Sequence, residues 1–210
     1  MYYNCQQIVL ASASPRRQQY LLDMGLVFSV QTAAIVEQPV DNEDPATFVL
    51  RMAREKAAAV RTLFPEAWII GGDTIVCLGS KILGKPLDSE DAVVQLMALS
   101  GQEHLVRTGF CVTHAGKEVE VAQAVTTKVR FAPFSEATAR AYVATGESLD
   151  KAGAYAIQGI GACLVQSIEG SYSNVVGLPL CELLQVLREH DVIRPTTPQS
   201  GVQISAGHEY

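Results

Sequence analysis

The chain has 210 residues, 48% of them hydrophobic and 18% charged, enough for one globular domain or two closely joined lobes around an ample core. A formal net charge of −6 gives no overall basic field to attract nucleic acid or an anionic membrane surface, so an anionic ligand needs a local cluster of bases. No apolar run reaches transmembrane length, no leader is evident, the histidines form no zinc pattern and the five scattered cysteines form no C-x-x-C, so the expectation is a cytoplasmic protein with reduced, buried thiols.

Ile8 to Ala11 is predicted as a short buried strand that runs into a helix over Pro15 to Met24, with Gly25 beyond its end. Ser14 suits the N-cap, and Pro15 suits the first helical position, where an N–H would have no partner. Arg16 and Arg17 then fall in the first turn, where the helix dipole disfavours cations. Two guanidinium groups beside free backbone N–H groups make an anion site; the alternative is that both are simply solvated.

A second strand is predicted over Val27 to Gln31, then a loop from Thr32 to Asp44 that carries Glu37, Asp41, Glu43 and Asp44. Solvent is the default for these acids, but Glu37 follows Ile35-Val36 and is placed to sit at a lip. Asp44 and Pro45 open a helix predicted to Leu63, with Val49, Met52, Ala53 and Val60 at helical spacing. Lys56 lies on that same stripe. It either snorkels to water or points into a cleft beside the core.

Ala67 to Ile70 is predicted as a buried strand, and Ile75 to Leu78 is apolar again. Between them Gly71-Gly72-Asp73-Thr74 has two readings: a turn, or a strand continuing through two glycines that leave room for a ligand. In the second, Asp73 is a carboxylate framed by apolar neighbours and a better proton acceptor for its desolvation. Gly79 to Lys85 matches the opening of a P-loop, G-x-x-x-x-G-K, but Pro86 stands where the magnesium-binding hydroxyl belongs. A hairpin turn at Gly79-Ser80 is preferred, leaving Lys85 to meet phosphate as a point charge.

A helix follows over Ser89 to Leu99, capped by Ser89, with Val93, Leu96 and Met97 inward. Long strands are predicted over Glu103 to His114 and Lys117 to Phe131, and Ser135 caps a helix to about Thr145. The glycine-rich segment from Ser148 to Gly161 holds Gln158, whose amide is suited to reading a base edge and equally to being a satisfied core amide. A strand over Ala162 to Ile168, a polar loop over Gly170 to Asn174 and a final helix over Leu180 to His190 complete a folded unit of residues 1–194. Residues 195–210 are polar and aperiodic and are expected to form a flexible tail.

Several of these stretches together resemble the Maf family of nucleotide pyrophosphatases, over about residues 7–190. They are Ala11-Ser12-Ala13-Ser14-Pro15-Arg16-Arg17, Ala53-Arg54-Glu55-Lys56-Ala57, Gly71-Gly72-Asp73-Thr74, Gly84-Lys85-Pro86, Ser100-Gly101 with His104 and Thr108-Gly109, Asp150-Lys151-Ala152-Gly153-Ala154-Tyr155, Gln158-Gly159, and Gly170 to Pro179. Gly72 and Ala13 depart from the family's commoner alanine and glycine without removing a functional group.

The resemblance implies an α/β fold with a long, twisted mixed β-sheet and flanking helices. Two lobes enclose a central cleft, as in inosine triphosphate pyrophosphatases. It implies cleavage of a nucleoside triphosphate to monophosphate and pyrophosphate, a divalent metal (Mg2+ or Mn2+), and a homodimer. By position, Arg16, Arg17, Lys56 and Lys85 match phosphate-binding residues, Asp73 the general base, and Glu37, with Asp73, the metal site. Ser12, Ser14 and Thr74 match further substrate contacts, and Gln158 matches the dTTP/UTP branch. Asp150 and Lys151 belong to a matched motif, with an ion pair and a catalytic role both open. The competing functions are a nucleotide-binding regulator of cell division or septum formation, a pyrophosphatase for modified pyrimidine nucleotides, and a 7-methyl-GTP pyrophosphatase.

Overall fold

In a computed structural model that describes residues 1–196, the chain runs through β1 (Tyr2–Asn4), β2 (Ile8–Leu10), α1 (Pro15–Asp23), β3 (Ser29–Val30), α2 (Pro45–Arg61), β4 (Trp68–Leu78), β5 (Lys81–Leu83) and α3 (Ser89–Leu99). It continues through β6 (Glu103–His114), β7 (Val119–Phe131), α4 (Glu136–Val143), two 3-10 turns (Ala152–Ala154 and Gly159–Leu164), β8 (Val165–Glu169), α5 (Tyr172–Val176), α6 (Leu180–Glu189) and β9 (Ile193–Pro195).

Six strands form the path β3-β2-β4-β6-β7-β8, with β5 paired to β4 as the seventh. The β3-β2-β4 end is parallel and the rest antiparallel, so the sheet is mixed, as expected. Its axis is β4, which passes unbroken through Gly71-Gly72-Asp73-Thr74; Asp73 pairs with Gly109 and Thr74 with Thr108 of β6. Of the two readings of those glycines, the strand is the correct one. The reason lies in α2, which crosses this part of the sheet. A Cβ on Gly71 would overlap the Ala53 carbonyl, and one on Gly109 the Val49 carbonyl, so both positions must lack a side chain for the helix to lie this close.

Four buried clusters are strung along β4 and its sheet neighbours; α2 builds two of them, around Ala53, Val60 and Ile69 and around Val49, Met52 and Ile75, and two larger ones lie towards the ends of β4. One of the larger pair packs α1 and α6 on the sheet through Leu10, Leu21, Trp68, Ile70, Phe110 and Leu187. The other gathers Val76, Leu96, Val106, Phe131, Tyr142 and Tyr155 beneath α3 and α4. The central segments of β4 and β6 cross from one of these two to the other, and the cleft opens there.

Local differences from the sequence reading have local causes. Asp88, not Ser89, caps α3: its carboxylate accepts the Asp91 N–H at 2.8 Å, and Ser89 is the first helical residue. Met97 is 36% exposed, because Leu96 and Leu99 fill the inward stripe. Ser14 occupies the cap position of α1, but its side chain makes no cap bond. The strand expected over Ala162 to Ile168 begins only at Val165; before it the chain coils into the second 3-10 turn, where Glu147 accepts the Ile160 and Gly161 N–H groups. The expected loop over Gly170 to Asn174 contains the start of α5, capped by Ser171, whose hydroxyl accepts the Asn174 N–H at 3.2 Å.

Pro195 belongs to β9, paired with Tyr2 of β1, so the expected tail does not begin there; residues 197–210 lie outside the described residues. Cys77 and Cys111 are buried thiols, whereas Cys5, Cys163 and Cys181 are exposed, against the expectation for those three. Burial pushes the Cys111 thiol up to about 12. Among the described residues no helix is long and apolar enough to cross a membrane.

Candidate active site

A cavity of about 630 Å³ opens over the central segments of β4 and β6, lined there by Asp73, Thr74, Ile75, Val76 and Val106. Every site residue read from the sequence lines it: Ser12, Ser14, Arg16 and Arg17 from the β2–α1 junction, Glu37 from the following loop, and Lys56 from α2. Asp73 and Thr74 come from β4, Lys85 from beyond β5, and Gln158 from the far wall.

At its floor Asp73 is only 9% exposed. Its immediate partner is an ammonium rather than the apolar frame suggested by sequence: Lys56 Nζ lies 2.8 Å from Asp73 Oδ1 and 2.9 Å from Glu37 Oε1. Lys56 therefore points into the cleft and does not snorkel past it. The helical stripe that carries Met52 and Ala53 onto the sheet delivers the lysine to the same face, where β4 presents Asp73. Glu37 sits at the lip, reaching the ammonium from the more exposed side.

The two arginines of α1 divide. Arg17 turns inward and is 8% exposed. Its Nε donates to the Gly177 carbonyl at 2.8 Å, Nη1 to Ser12 Oγ at 2.8 Å and to the Gly72 carbonyl at 2.9 Å, and Nη2 to Thr74 Oγ1 at 3.0 Å. Burial holds the guanidinium below its usual pKa, while the Asp73 carboxylate acts the other way. A polar chain continues from it: Thr74 Oγ1 lies 2.9 Å from Thr108 Oγ1, and Thr108 donates to the Asn174 carbonyl at 3.0 Å. Asn174, fully buried, donates in turn to the Val106 carbonyl and Thr127 Oγ1. Arg17 thus ties the β2–α1 junction, β4 and the end of α5 into one piece.

Arg16 instead faces the cleft, with a loose ion pair of 3.9 Å to Asp150 on the opposite wall. Asp150 also accepts from Lys151 Nζ at 2.6 Å, and that ammonium donates to the Glu147 carbonyl as well. Asp150 and Lys151 are thus ion-paired with each other on the cleft wall. Lys85 is exposed and follows the β4–β5 hairpin, with α3 starting only at Ser89. The G-x-x-x-x-G-K stretch is therefore a hairpin and strand, and the rejection of a P-loop stands. Gln158 is exposed at the far wall, immediately before the second 3-10 turn.

Sequence reasoning gave no role to His104 and Tyr155, although both stand in matched motifs. His104 Nε2 lies 2.8 Å from the Tyr155 hydroxyl beneath the Gln158 segment, and burial pushes the imidazole down to about 4 and the phenol up. His104 directly follows Gln102-Glu103 and Tyr155 lies among alanines, so neither neighbourhood marked the pair in sequence.

The donor set fits a hard cation. Glu37 and Asp73 both reach one ammonium and so lie close enough to share one positive centre, and magnesium is held by one or two carboxylates together with substrate phosphates. Among the described residues no group of three or more His, Cys, Asp or Glu side chains forms an all-protein cage.

The family model described as "Maf-like protein" matches residues 7–190. The chain is 52% identical over 192 residues to a protein of Desulfotalea psychrophila named dTTP/UTP pyrophosphatase, covering 91% of this chain and 98% of that one. It is 50% identical over 182 residues to one of the same name from Geobacter metallireducens, covering 87% and 95%. Among solved structures, the Ham1 protein of Staphylococcus aureus shares the fold with a TM-score of 0.51 at 12% identity, covering 89% of this chain and all of that one. On the match to the family model and the extent of these identities, the chain belongs to the Maf family.

Proposed function

We propose that this chain hydrolyses dTTP and UTP between the α and β phosphates, releasing the nucleoside monophosphate and pyrophosphate. The observation that carries the reading is the Asp73–Lys56–Glu37 arrangement at the floor of a cleft rimmed by Arg16 and Lys85, in a protein about half identical to relatives named for that reaction.

In this reading Arg16, Lys56 and Lys85 bind the triphosphate and stabilise charge developing on the leaving pyrophosphate. Ser12, Ser14 and Thr74 add contacts from the same wall. Arg17 has one N–H left after its four internal bonds and acts mainly by holding that wall in place. Asp73 Oδ1 is engaged by Lys56, which leaves Oδ2 to orient a water and take its proton. The water oxygen bonds to the α phosphorus as the bond to the β-phosphate oxygen breaks, and the electron pair leaves with pyrophosphate. Glu37 and Asp73 would hold the divalent cation, Mg2+ or Mn2+, which supplies charge neutralisation on the phosphates when bound. Gln158 offers a donor and an acceptor to the imide edge of thymine or uracil. The folded unit that closes with β9 acts as one catalytic unit, in a cytoplasmic homodimer.

The test is incubation with dTTP, UTP, CTP and 7-methyl-GTP, with Mg2+, Mn2+ or EDTA, scoring both products. Equimolar monophosphate and pyrophosphate from dTTP and UTP, lost in EDTA, is the expected result. Release of orthophosphate, binding without turnover, or a preference for 7-methyl-GTP overturns the assignment.

A further inference from the structure

The wall that carries Gln158 is not held by the cleft. It is held from behind, and the residue that holds it makes no contact with the cavity's polar floor. Glu147 follows α4, half-buried, and its carboxylate spans the start of the second 3-10 turn: Oε1 accepts the Ile160 N–H at 3.2 Å and Oε2 the Gly161 N–H at 2.9 Å.

The intervening Gly159 has φ +75°, and a Cβ there would overlap Glu147 Oε1. The carboxylate therefore lies flat against the backbone just after Gln158. On the other side of Gln158, the Tyr142 hydroxyl accepts the Ala156 N–H at 3.1 Å, and Tyr155 is anchored to His104. Glu147 is itself fixed, since its carbonyl accepts from Lys151 Nζ. Gln158 is thus pinned two residues before and two residues after, while its own side chain makes no hydrogen bond among the described residues.

We propose that Glu147 is a positioning residue for nucleotide selection: by bridging the Ile160 and Gly161 N–H groups it fixes where the Gln158 amide stands in the cleft. This rests on the reading of Gln158 as the residue facing the base. A charged acceptor on two adjacent N–H groups is a strong, directional hold. Without it the Gly159 turn is free to change its backbone angles, and the amide moves with it. The phosphate-binding groups of α1, α2, β4 and the segment after β5 make no hydrogen bond to the Glu147 carboxylate, which is engaged by Ile160 and Gly161.

The test compares wild type with Glu147→Ala, Glu147→Gln, Gln158→Ala and the Glu147→Ala/Gln158→Ala double variant, measuring kcat and KM for dTTP and CTP together with Tm. The expected result for Glu147→Ala is a KM for dTTP raised roughly tenfold, equivalent to about 1.4 kcal/mol of binding, kcat within about twofold, and a dTTP:CTP preference reduced as far as in Gln158→Ala. Glu147→Gln keeps one carbonyl acceptor and should fall between wild type and Glu147→Ala, which also serves if the alanine variant does not fold. The double variant should lose no more preference than either single one.

An unchanged preference in a folded Glu147→Ala protein, with Gln158→Ala altered, overturns the role of Glu147 alone. An equal loss on both nucleotides with a lowered Tm overturns it too, as a purely structural role. An unchanged preference in Gln158→Ala overturns the reading of Gln158, and this proposal with it.

Discussion

The ammonium of Lys56 lies 2.8 Å from the carboxylate of Asp73, two residues along β4 from Gly71, where α2 lies against the strand through Ala53 and Ala57. Because Lys56 engages one carboxylate oxygen, the other is left to face the cleft. Asp73→Asn should keep the fold and bind dTTP while losing about a hundred- to ten-thousand-fold in kcat, the usual contribution of an oriented base. Calorimetric binding beside steady-state turnover checks this, and near-normal kcat in a folded variant would remove Asp73 from the chemistry.

Arg16 and Arg17 should separate cleanly when each is replaced. Arg17→Lys loses most of four internal hydrogen bonds and leaves buried acceptors unpaired, so unfolding free energy should drop by on the order of 3 kcal/mol. Arg16→Ala, with only a loose surface pair to Asp150, should hold its stability to within about 0.5 kcal/mol and raise KM for dTTP instead. Urea unfolding and kinetics on the two proteins decide between them.

His104 makes stability depend on pH. Its folded pKa is depressed to about 4 from 6.5 by burial, so below pH 6.5 the unfolded chain takes up a proton that the folded chain refuses. The contribution is complete above pH 6.5, declines as pH falls, and is gone by about pH 4, for a total near 3 kcal/mol. His104→Gln should show a shallower fall in urea midpoint than wild type between pH 6.5 and 4.5. Parallel profiles would contradict the assignment.

Gly71→Ala and Gly109→Ala place a methyl group against the backbone of α2 and should each cost on the order of 3 kcal/mol. Gly84→Ala meets open space and should change stability by less than about 0.5 kcal/mol. Thermal unfolding of the three variants is sufficient.

Much of the site was legible because its residues break local rules. Two arginines at the wrong end of a helix, a lysine on an apolar stripe and an aspartate inside a buried run each pointed to the cleft, and all line it. The division of labour between Arg16 and Arg17 was not legible, since it depends on the carbonyls of Gly72 and Gly177, remote in sequence. Long elements were readable from periodicity. The 3-10 turn after Gln158 was missed because its hydrogen-bond acceptor, Glu147, lies well upstream. The pairing of β1 with β9 joins the two ends of the described chain, where neither three-residue strand carries a pattern of its own.

The sheet that carries all four buried clusters has a mechanical consequence. From the Ile69–Thr113 pair to the Cys77–Leu105 pair, β4 and β6 form one uninterrupted ladder beneath the cleft. No flexible connector separates the halves, so neither can melt while the other persists without tearing hydrogen bonds at the centre of the sheet. Loss of one cluster should therefore bring down the others in a single cooperative transition, and the cleft floor should rank among the slowest backbone amides to exchange with solvent.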